Sequence, residues 1–507
     1  MKIIIIGAGA GGASVATRAR RLDERAEIIL VDKNAEISQA TCGLPYSLGN
    51  IIRDRSKLVV VDSRDFSKLV NVDVRTRSEV ISIARKQKSI TIRNLVDGNT
   101  YEENYDKLVL SPGGVARLPD IAGIDNDNVF TLQSLSDLDA IKTHLSTRHC
   151  KNATVIGAGF IGLEVADNLY ELGIHVSIVE LSRQVIGKMD FEMASIVHQH
   201  LKSKNINLIL QDRITEICEA SVTLASGLHL NSDIVIVGLG VVPAVELAIA
   251  AGIKIGDRGG IAVSDTMVTS DVDIYALGDS VEMLDHVLGR KILVQLAGPA
   301  HKQASVVAAN ILGNKKRIRA FQGTSIAKVF DLSVAMTGAS EKQLKASKVN
   351  YSKSYVDVPN HATYYPNAYP LTIKLLFNPD GGEILGAQVV GVEGVDKRID
   401  LISTAIHFNR TIYDLAELEL AYAPPYSSAK DPINIAGMVA RNMLEDNYQV
   451  TYWDEMPAPA DNVFVLDVRT PEEYELGAIH NSTNIPLEEL RDRLDEIPKD
   501  KQILIYC

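Results

Sequence analysis

Cys42 stands alone in the segment Ser38-Gln39-Ala40-Thr41-Cys42-Gly43-Leu44-Pro45-Tyr46. A cysteine thiolate is a nucleophile, and its two-electron redox chemistry needs a second sulfur to pair with. Three and five positions further on lie Pro45 and Ser47, while Cys150, Cys218 and Cys507 are distant in sequence. A redox role for Cys42 therefore requires a sulfur partner from outside the chain. Two hexapeptides point to a second chemistry, Gly7-Ala8-Gly9-Ala10-Gly11-Gly12 and Gly157-Ala158-Gly159-Phe160-Ile161-Gly162. In each, the first glycine (Gly7, Gly157) permits a tight bend and the second (Gly9, Gly159) lets a pyrophosphate approach the backbone. The third (Gly12, Gly162) lets helix and strand pack closely. Asp32 and Glu180, at the ends of the strands that follow, are placed to accept hydrogen bonds from a ribose diol. A carboxylate at 180 repels the extra phosphate of NADPH and favours NADH, although Arg183, three residues on, softens that repulsion and leaves NADPH open.

These residues need elements to hold them. A buried-strand pattern over 3–6, a helix to about 22 and a strand over 28–31 surround the first turn. A strand over 153–156, a helix to about 172 and a strand over 176–179 surround the second. The repetition predicts a duplicated nucleotide-binding unit of α/β class. From about 325 the pattern changes to strands over 326–337, 351–358 and 371–376, with a turn at Asn378-Pro379-Asp380-Gly381-Gly382. Helices over 397–409 and 412–418 follow, which suggests a separate α+β domain. Residues 445–460, with Asn447, Pro457 and Pro459, predict a linker, and a last segment opens with a strand over 463–466.

Composition bounds the rest. A length of 507 residues exceeds what one hydrophobic core supports, and 46% hydrophobic residues suffice for several packed domains. The net charge of −12 carries no basic run, which argues against nucleic acid as a main partner. No stretch of 18 apolar residues is present, so no membrane span is expected. The start Met1-Lys2 followed by Ile3 to Ile6 is too short for an export signal. Four scattered cysteines form neither a disulfide framework nor a metal-ligand set, so a reducing, cytoplasmic setting and no metal are expected. Arg18, Arg20 and Arg21 lie on the first predicted helix, and Arg18 and Arg21 share a face.

Two further segments, Tyr105-Asp106-Lys107-Leu108-Val109-Leu110-Ser111-Pro112-Gly113-Gly114 and Thr269-Ser270-Asp271-Val272-Asp273-Ile274-Tyr275-Ala276-Leu277-Gly278-Asp279, resemble the later FAD-contact motifs of the pyridine nucleotide-disulfide reductases. They bracket the second nucleotide unit, as in that family, where an NAD unit interrupts the FAD unit. The resemblance covers 1–443. It implies two Rossmann-like domains for FAD and NAD, an α+β dimerisation domain, and the boundaries 1–115 and 251–324 for FAD, 116–250 for NAD(P)H and 325–444 for dimerisation. It also implies cofactor contacts at Gly7, Gly9, Ala10, Gly12, Asp32, Lys33, Thr41, Val80, Ser111, Gly113, Gly157, Gly159, Phe160, Ile161, Gly162, Glu180, Gly240, Gly278, Asp279, Ala297 and Lys430. Asp279 is expected on the flavin's ribityl chain.

Segment 38–46 resembles the single-cysteine branch, the coenzyme A-disulfide reductases with related NADH oxidases and peroxidases. Oxidases and peroxidases carry a histidine in the first glycine turn, where this chain has Ala10, so peroxide reduction loses its acid–base partner. The resemblance implies reduction of coenzyme A disulfide or persulfide, with electrons passing from NADH through FAD to Cys42. The Cys42 thiolate is expected to be stabilised by the flavin and by the helix that follows. Coenzyme A contacts are implied at Ser14, Arg18, Arg21, Ser38, Thr41 and His301. The stretches His361-Ala362-Thr363-Tyr364-Tyr365-Pro366 and Ala421-Tyr422-Ala423-Pro424-Pro425-Tyr426 match segments that reach the partner subunit's active site, which implies a homodimer. The assisting role falls to Tyr364 and Tyr422, with Tyr365 and Tyr426 as alternatives. A water-forming NADH oxidase is the enzymatic alternative, and a coenzyme A-binding, redox-sensing flavoprotein the non-enzymatic one.

Beyond 461, Val463-Phe464-Val465-Leu466-Asp467-Val468-Arg469, Gly477-Ala478-Ile479-His480, Asn484-Ile485-Pro486-Leu487 and Ile503-Leu504-Ile505-Tyr506-Cys507 resemble a rhodanese-like sulfurtransferase domain. Cys507 takes the position of its strand-end cysteine. The loop and the last helix and strand of such a domain are not in the sequence, so 461–507 is expected to be partial and inactive in sulfur transfer. The attachment shifts weight toward persulfide chemistry, because a tethered carrier keeps a high effective concentration.

Overall fold

The computed structural model describes residues 1–445, 449–452, 454–456 and 462–507. Contacts divide the chain into two units, Met1–Ala440 and Arg441–Cys507. In the first, β1 (Lys2–Ile6), α1 (Ala10–Leu22) and β2 (Glu27–Val31) enclose the first glycine turn. Ile3, Ile4 and Ile5 are completely buried, as a parallel strand covered on both faces demands. β1 pairs in parallel with β2 and with Lys107–Leu110. Asp73–Arg75 extends the sheet beyond β2, and Ile274–Ala276 forms the other edge beside Lys107–Leu110. The strand Ile274–Ala276 returns from beyond the second nucleotide unit, so the first sheet is complete only after that unit has been inserted.

Within the same unit, the second nucleotide-binding repeat has the same order, with β3 (Asn152–Ile156), α2 (Phe160–Glu171) and β4 (His175–Glu180). Its parallel sheet runs Asn207–Leu210, β4, β3, Ile234–Val237, Val129–Phe130, around buried Val155, Ile178 and Ile236. The helix α3 (Ala297–Ile311) packs along α1.

The α+β part carries an antiparallel sheet in the order Ser325–Val329, Leu332–Gly338, Ile384–Gly391, Pro370–Phe377, Ser352–Pro359. The stretch expected as one strand over 326–337 is a hairpin, because Phe330 turns the chain with φ 54. The strand Ile384–Gly391 was not anticipated; its glycines at both Gly386 and Gly391 hide the alternation. Helix Val395–His407 stops two residues earlier than expected, where Asn409 adopts φ 50. Thr411 and Asp414 form a capping box that starts Ile412–Glu417.

A further helix, Pro432–Glu445, runs across the division at Arg441 and into the expected linker. Asn447, Pro457 and Pro459 lie outside the described residues. The second unit is a parallel sheet of Ser482–Asn484, Val463–Asp467 and Gln502–Tyr506 around buried Leu466, Val468 and Ile485. Among the described residues no helix is long and apolar enough to cross a membrane.

Candidate functional site

The two glycine turns share one construction. Gly7 and Gly157 have φ of +94 and +96, a left-handed backbone in which a side chain is strained. A Cβ at Gly12 would lie 1.8 Å from the Gly7 carbonyl oxygen, and one at Gly162 would lie 2.0 Å from that of Gly157, so both helices need glycine to pack this closely. At Gly9 and Gly159 a Cβ would meet nothing within 4 Å. No side chain caps α1 or α2, and neither has an acid in its first turn. Open space beside the middle glycine, under uncapped helix amides, is what a dinucleotide pyrophosphate requires.

The strand-end acids brace these turns. The Ala8 N–H donates to Asp32 (2.6 Å) and the Ala158 N–H to Glu180 (2.8 Å). Lys33 next to Asp32 is exposed, and Phe160 and Ile161 open α2. Ser111 is buried behind Gly7, and Gly113, Gly240 and Gly278 all take positive φ. Burial pushes the Asp279 carboxyl up, and it has no hydrogen-bond partner among the described residues, which suits a hydroxyl-bearing ligand. Ala297 begins α3, Val80 is buried in Ser78–Ala84, and Lys430 is exposed.

Ser38 joins the cysteine segment to the first turn. Its N–H donates to the Ala8 carbonyl (2.8 Å), and its backbone is left-handed at φ 48, an unfavourable state for a residue with a side chain. The Ala40 N–H donates to the Leu58 carbonyl (2.8 Å). Thr41 and Cys42 are exposed on the single 3₁₀ turn Thr41–Gly43, which leads into helix Leu44–Leu48. That helix is only five residues long, so its dipole is a weak source of thiolate stabilisation.

A cleft of about 620 Å³ lies against α1 and α3. Ser14, Arg18, Arg21, Ser38 and His301 all line it, together with Ala10. Ser14 Oγ and His301 Nδ1 share a hydrogen bond of 2.7 Å. Thr41 is not part of its wall. Sequence reasoning missed Gln39 and also Phe66, Val60 and Val61, the last three of which add an apolar side; only the nearness of Gln39 to Ser38 could have signalled any of them.

Also unforeseen is a contact behind the cysteine turn. The Tyr46 hydroxyl donates to Glu164 of α2 (3.2 Å). Burial pushes the Glu164 carboxyl up to about 7; the Tyr46 hydrogen bond opposes this, and the nearby Asp167 charge adds to it. Burial, then the Glu164 charge, raises the Tyr46 phenol.

The fold brings the two tyrosine stretches together. Tyr364 and Tyr422 share a hydroxyl–hydroxyl hydrogen bond of 2.7 Å, which raises the Tyr364 phenol, and both are exposed. Tyr365 packs edge-on against His361, and Tyr426 is exposed. Elsewhere, the carboxylates of Asp190, Glu192 and Glu341 cluster tightly enough for a metal ion. The Lys374 ammonium fills their centre, 2.8 Å from Asp190, 2.8 Å from Glu341 and in contact with Glu192. In the second unit Cys507 is exposed directly after the strand Gln502–Tyr506.

Residues 1–304 match the family model described as pyridine nucleotide-disulphide oxidoreductase, 324–432 that family's dimerisation domain, and 451–507 a rhodanese-like domain. The coenzyme A disulfide reductase of Staphylococcus haemolyticus is 37% identical over 443 residues, which is 87% of this chain and 100% of that protein. The structure of reduced Bacillus anthracis CoADR-RHD is similar at TM-score 0.97 and 46% identity, covering 100% of this chain and 92% of that one. An NAD-dependent persulfide reductase from A. fulgidus is similar at TM-score 0.94 and 37% identity, covering 100% and 94%. With its paired glycine turns, its returning first sheet and these matches, the chain belongs to the pyridine nucleotide-disulphide oxidoreductase family, enzymes of FAD and NAD(P)H, and carries a rhodanese-like domain in addition.

Proposed function

We propose that this chain reduces a sulfur–sulfur bond of coenzyme A, as disulfide or persulfide, with Cys42 as the nucleophile and NADH as the electron source. The observation that carries the reading is the cleft tied by Ser38 to both the first glycine turn and the Cys42 segment, with Arg18 and Arg21 in its wall. Guanidinium groups are the preferred partners of phosphates, and they supply local positive charge in a protein of net charge −12. The names of the similar proteins point the same way.

Attack of the Cys42 thiolate on coenzyme A disulfide forms a mixed disulfide and releases one coenzyme A thiolate. With a persulfide the same adduct forms and hydrosulfide leaves. When bound, FAD and NADH supply the two electrons that divide the adduct into coenzyme A thiolate and Cys42 thiolate. Arg18 and Arg21 hold the substrate's phosphates, while Ser14, Ser38 and His301 orient it. Tyr364 and Tyr422, arriving from the partner subunit of a homodimer, donate a hydrogen bond to the departing sulfur. Asp279 holds the flavin's polyol chain. Glu180 selects NADH, and Arg183, the cation three residues on, is stacked over the Phe191 ring, 4.6 Å to the centroid.

The test is Cys42→Ser assayed anaerobically with coenzyme A disulfide and persulfide side by side. Loss of both activities, with FAD still bound, is expected. Retained turnover on both removes Cys42 from the mechanism. If oxygen dominates NADH use in the unsubstituted enzyme, the chain is instead a water-forming oxidase. NADH bleaching of the flavin with no substrate-dependent reoxidation would make it a redox sensor.

A further inference from the structure

Tyr364 and Tyr422 lie 58 positions apart on exposed loops, yet their hydroxyls meet at 2.7 Å. Exposed side chains hold such a geometry only if the backbone beneath them is fixed. Beneath both loops lies Arg398, from helix Val395–His407, 2% exposed. Its Nη2 donates to the Asn360 carbonyl (2.9 Å), to Asp431 Oδ2 (2.9 Å) and to Ser427 Oγ (3.4 Å). Its Nε donates to Asp431 Oδ1 (3.2 Å) and its Nη1 to the Gly394 carbonyl (3.3 Å). The Ser427 hydroxyl donates to Asp431 (2.7 Å), and the Ala362 N–H donates to the Ser427 carbonyl (3.2 Å). Asn360 stands at the foot of the loop bearing Tyr364, and Ser427 and Asp431 at the foot of the loop bearing Tyr422.

A buried ion pair is a poor device for stability alone, because desolvation of the two charges offsets much of their attraction. A planar guanidinium with fixed donor directions is a good device for holding two loops in register. Lysine, with one point of charge, cannot reach the Asn360 carbonyl and both Asp431 oxygens in the same geometry.

We propose that Arg398 is a positioning residue for the reaction, fixing the Tyr364 and Tyr422 hydroxyls at hydrogen-bonding distance by joining the bases of their loops. This rests on the reading that these tyrosines assist at the substrate sulfur.

The test is a double-mutant cycle on the full FAD-loaded enzyme, with Arg398→Lys, Tyr364→Phe and the pair. Arg398→Lys should lower kcat about tenfold, as sub-ångström misplacement of an assisting group does, with the KM for NADH and the FAD content unchanged. In the Tyr364→Phe background the same substitution should cost less than about twofold, because the hydroxyl–hydroxyl pair whose spacing it sets no longer exists. Equal fold-losses in both backgrounds overturn the proposal and make Arg398 a purely structural anchor. If Tyr364→Phe and Tyr422→Phe each leave kcat unchanged, the tyrosine reading itself falls. Should Arg398→Lys fail to fold, Ser427→Ala, which removes one hydroxyl from the same cluster, replaces it with the same expected non-additivity.

Discussion

Glu164 offers a pH test that does not depend on the substrate. Its carboxyl is pushed by burial from 4.5 up to about 7. Below pH 4.5 the group is protonated in both folded and unfolded chains and contributes nothing to the pH dependence. Between 4.5 and about 7 the unfolded chain releases a proton that the folded chain retains, so stability falls as pH rises; above 7 the penalty is constant. A shift of this size corresponds to about 3 kcal/mol. Partial solvation of the carboxyl reduces the measurable effect to about 1–2 kcal/mol. Glu164→Gln removes the charge and keeps an oxygen to accept the Tyr46 hydrogen bond. The variant should therefore be more stable than the unsubstituted protein at pH 8, raising the melting midpoint by about 1–2 °C, and nearly equal to it at pH 5. Asp167, whose carboxyl burial also raises, is present in both proteins, so the difference between them isolates Glu164. Matched thermal scans of FAD-loaded proteins at the two pH values decide it. An equal gain at pH 5 and pH 8, or a loss at pH 8, would refute the reasoning.

Lys374→Met should cost about 3–5 kcal/mol, because it leaves Asp190, Glu192 and Glu341 facing one another around a site with no exposure. Denaturant midpoints should show the loss shrinking toward pH 4, where the freed carboxyls take up protons. Gly159→Ala should raise the KM for NADH more than tenfold with an unchanged melting midpoint, since its Cβ enters open space. Gly162→Ala should lower the midpoint, since its Cβ lies 2.0 Å from the Gly157 carbonyl; identical behaviour of the two variants in both assays would contradict the division of roles between these glycines.

What was legible in the sequence follows range of interaction. The glycine turns, α1 and α2 are built by contacts within about thirty residues, and their strands and terminal acids could be placed from spacing alone. Much of the cleft wall was legible only through the family resemblance, which implies Ser14, Arg18, Arg21, Ser38 and His301; helix spacing by itself says only that Arg18 and Arg21 share a face. The hairpin at Phe330 and the strand Ile384–Gly391 were missed because their register is decided by sheet neighbours. The Tyr46–Glu164 contact spans 118 positions, and the Arg398 cluster gathers Asn360, Gly394, Ser427 and Asp431. Nothing local in a sequence says which arginine will meet which aspartate.

Cys42 stands at the meeting of both kinds of information. Its lack of a nearby thiol is a local fact, and a redox role for it would require a sulfur partner from outside. On the proposed reading that partner rests in the cleft, which non-local packing builds: α3 brings His301 against Ser14 and the Phe66 ring closes an apolar side. Behind Cys42, Tyr46 ties the five-residue helix that follows it to α2, the helix that opens on the second glycine turn. The cysteine segment is thereby joined to the first nucleotide unit through Ser38 and to the second through Tyr46. On the proposed reading, in which Cys42 meets electrons from one side and a diffusing substrate on the other, both attachments are needed, because freedom in either would cost the alignment on which attack at sulfur depends.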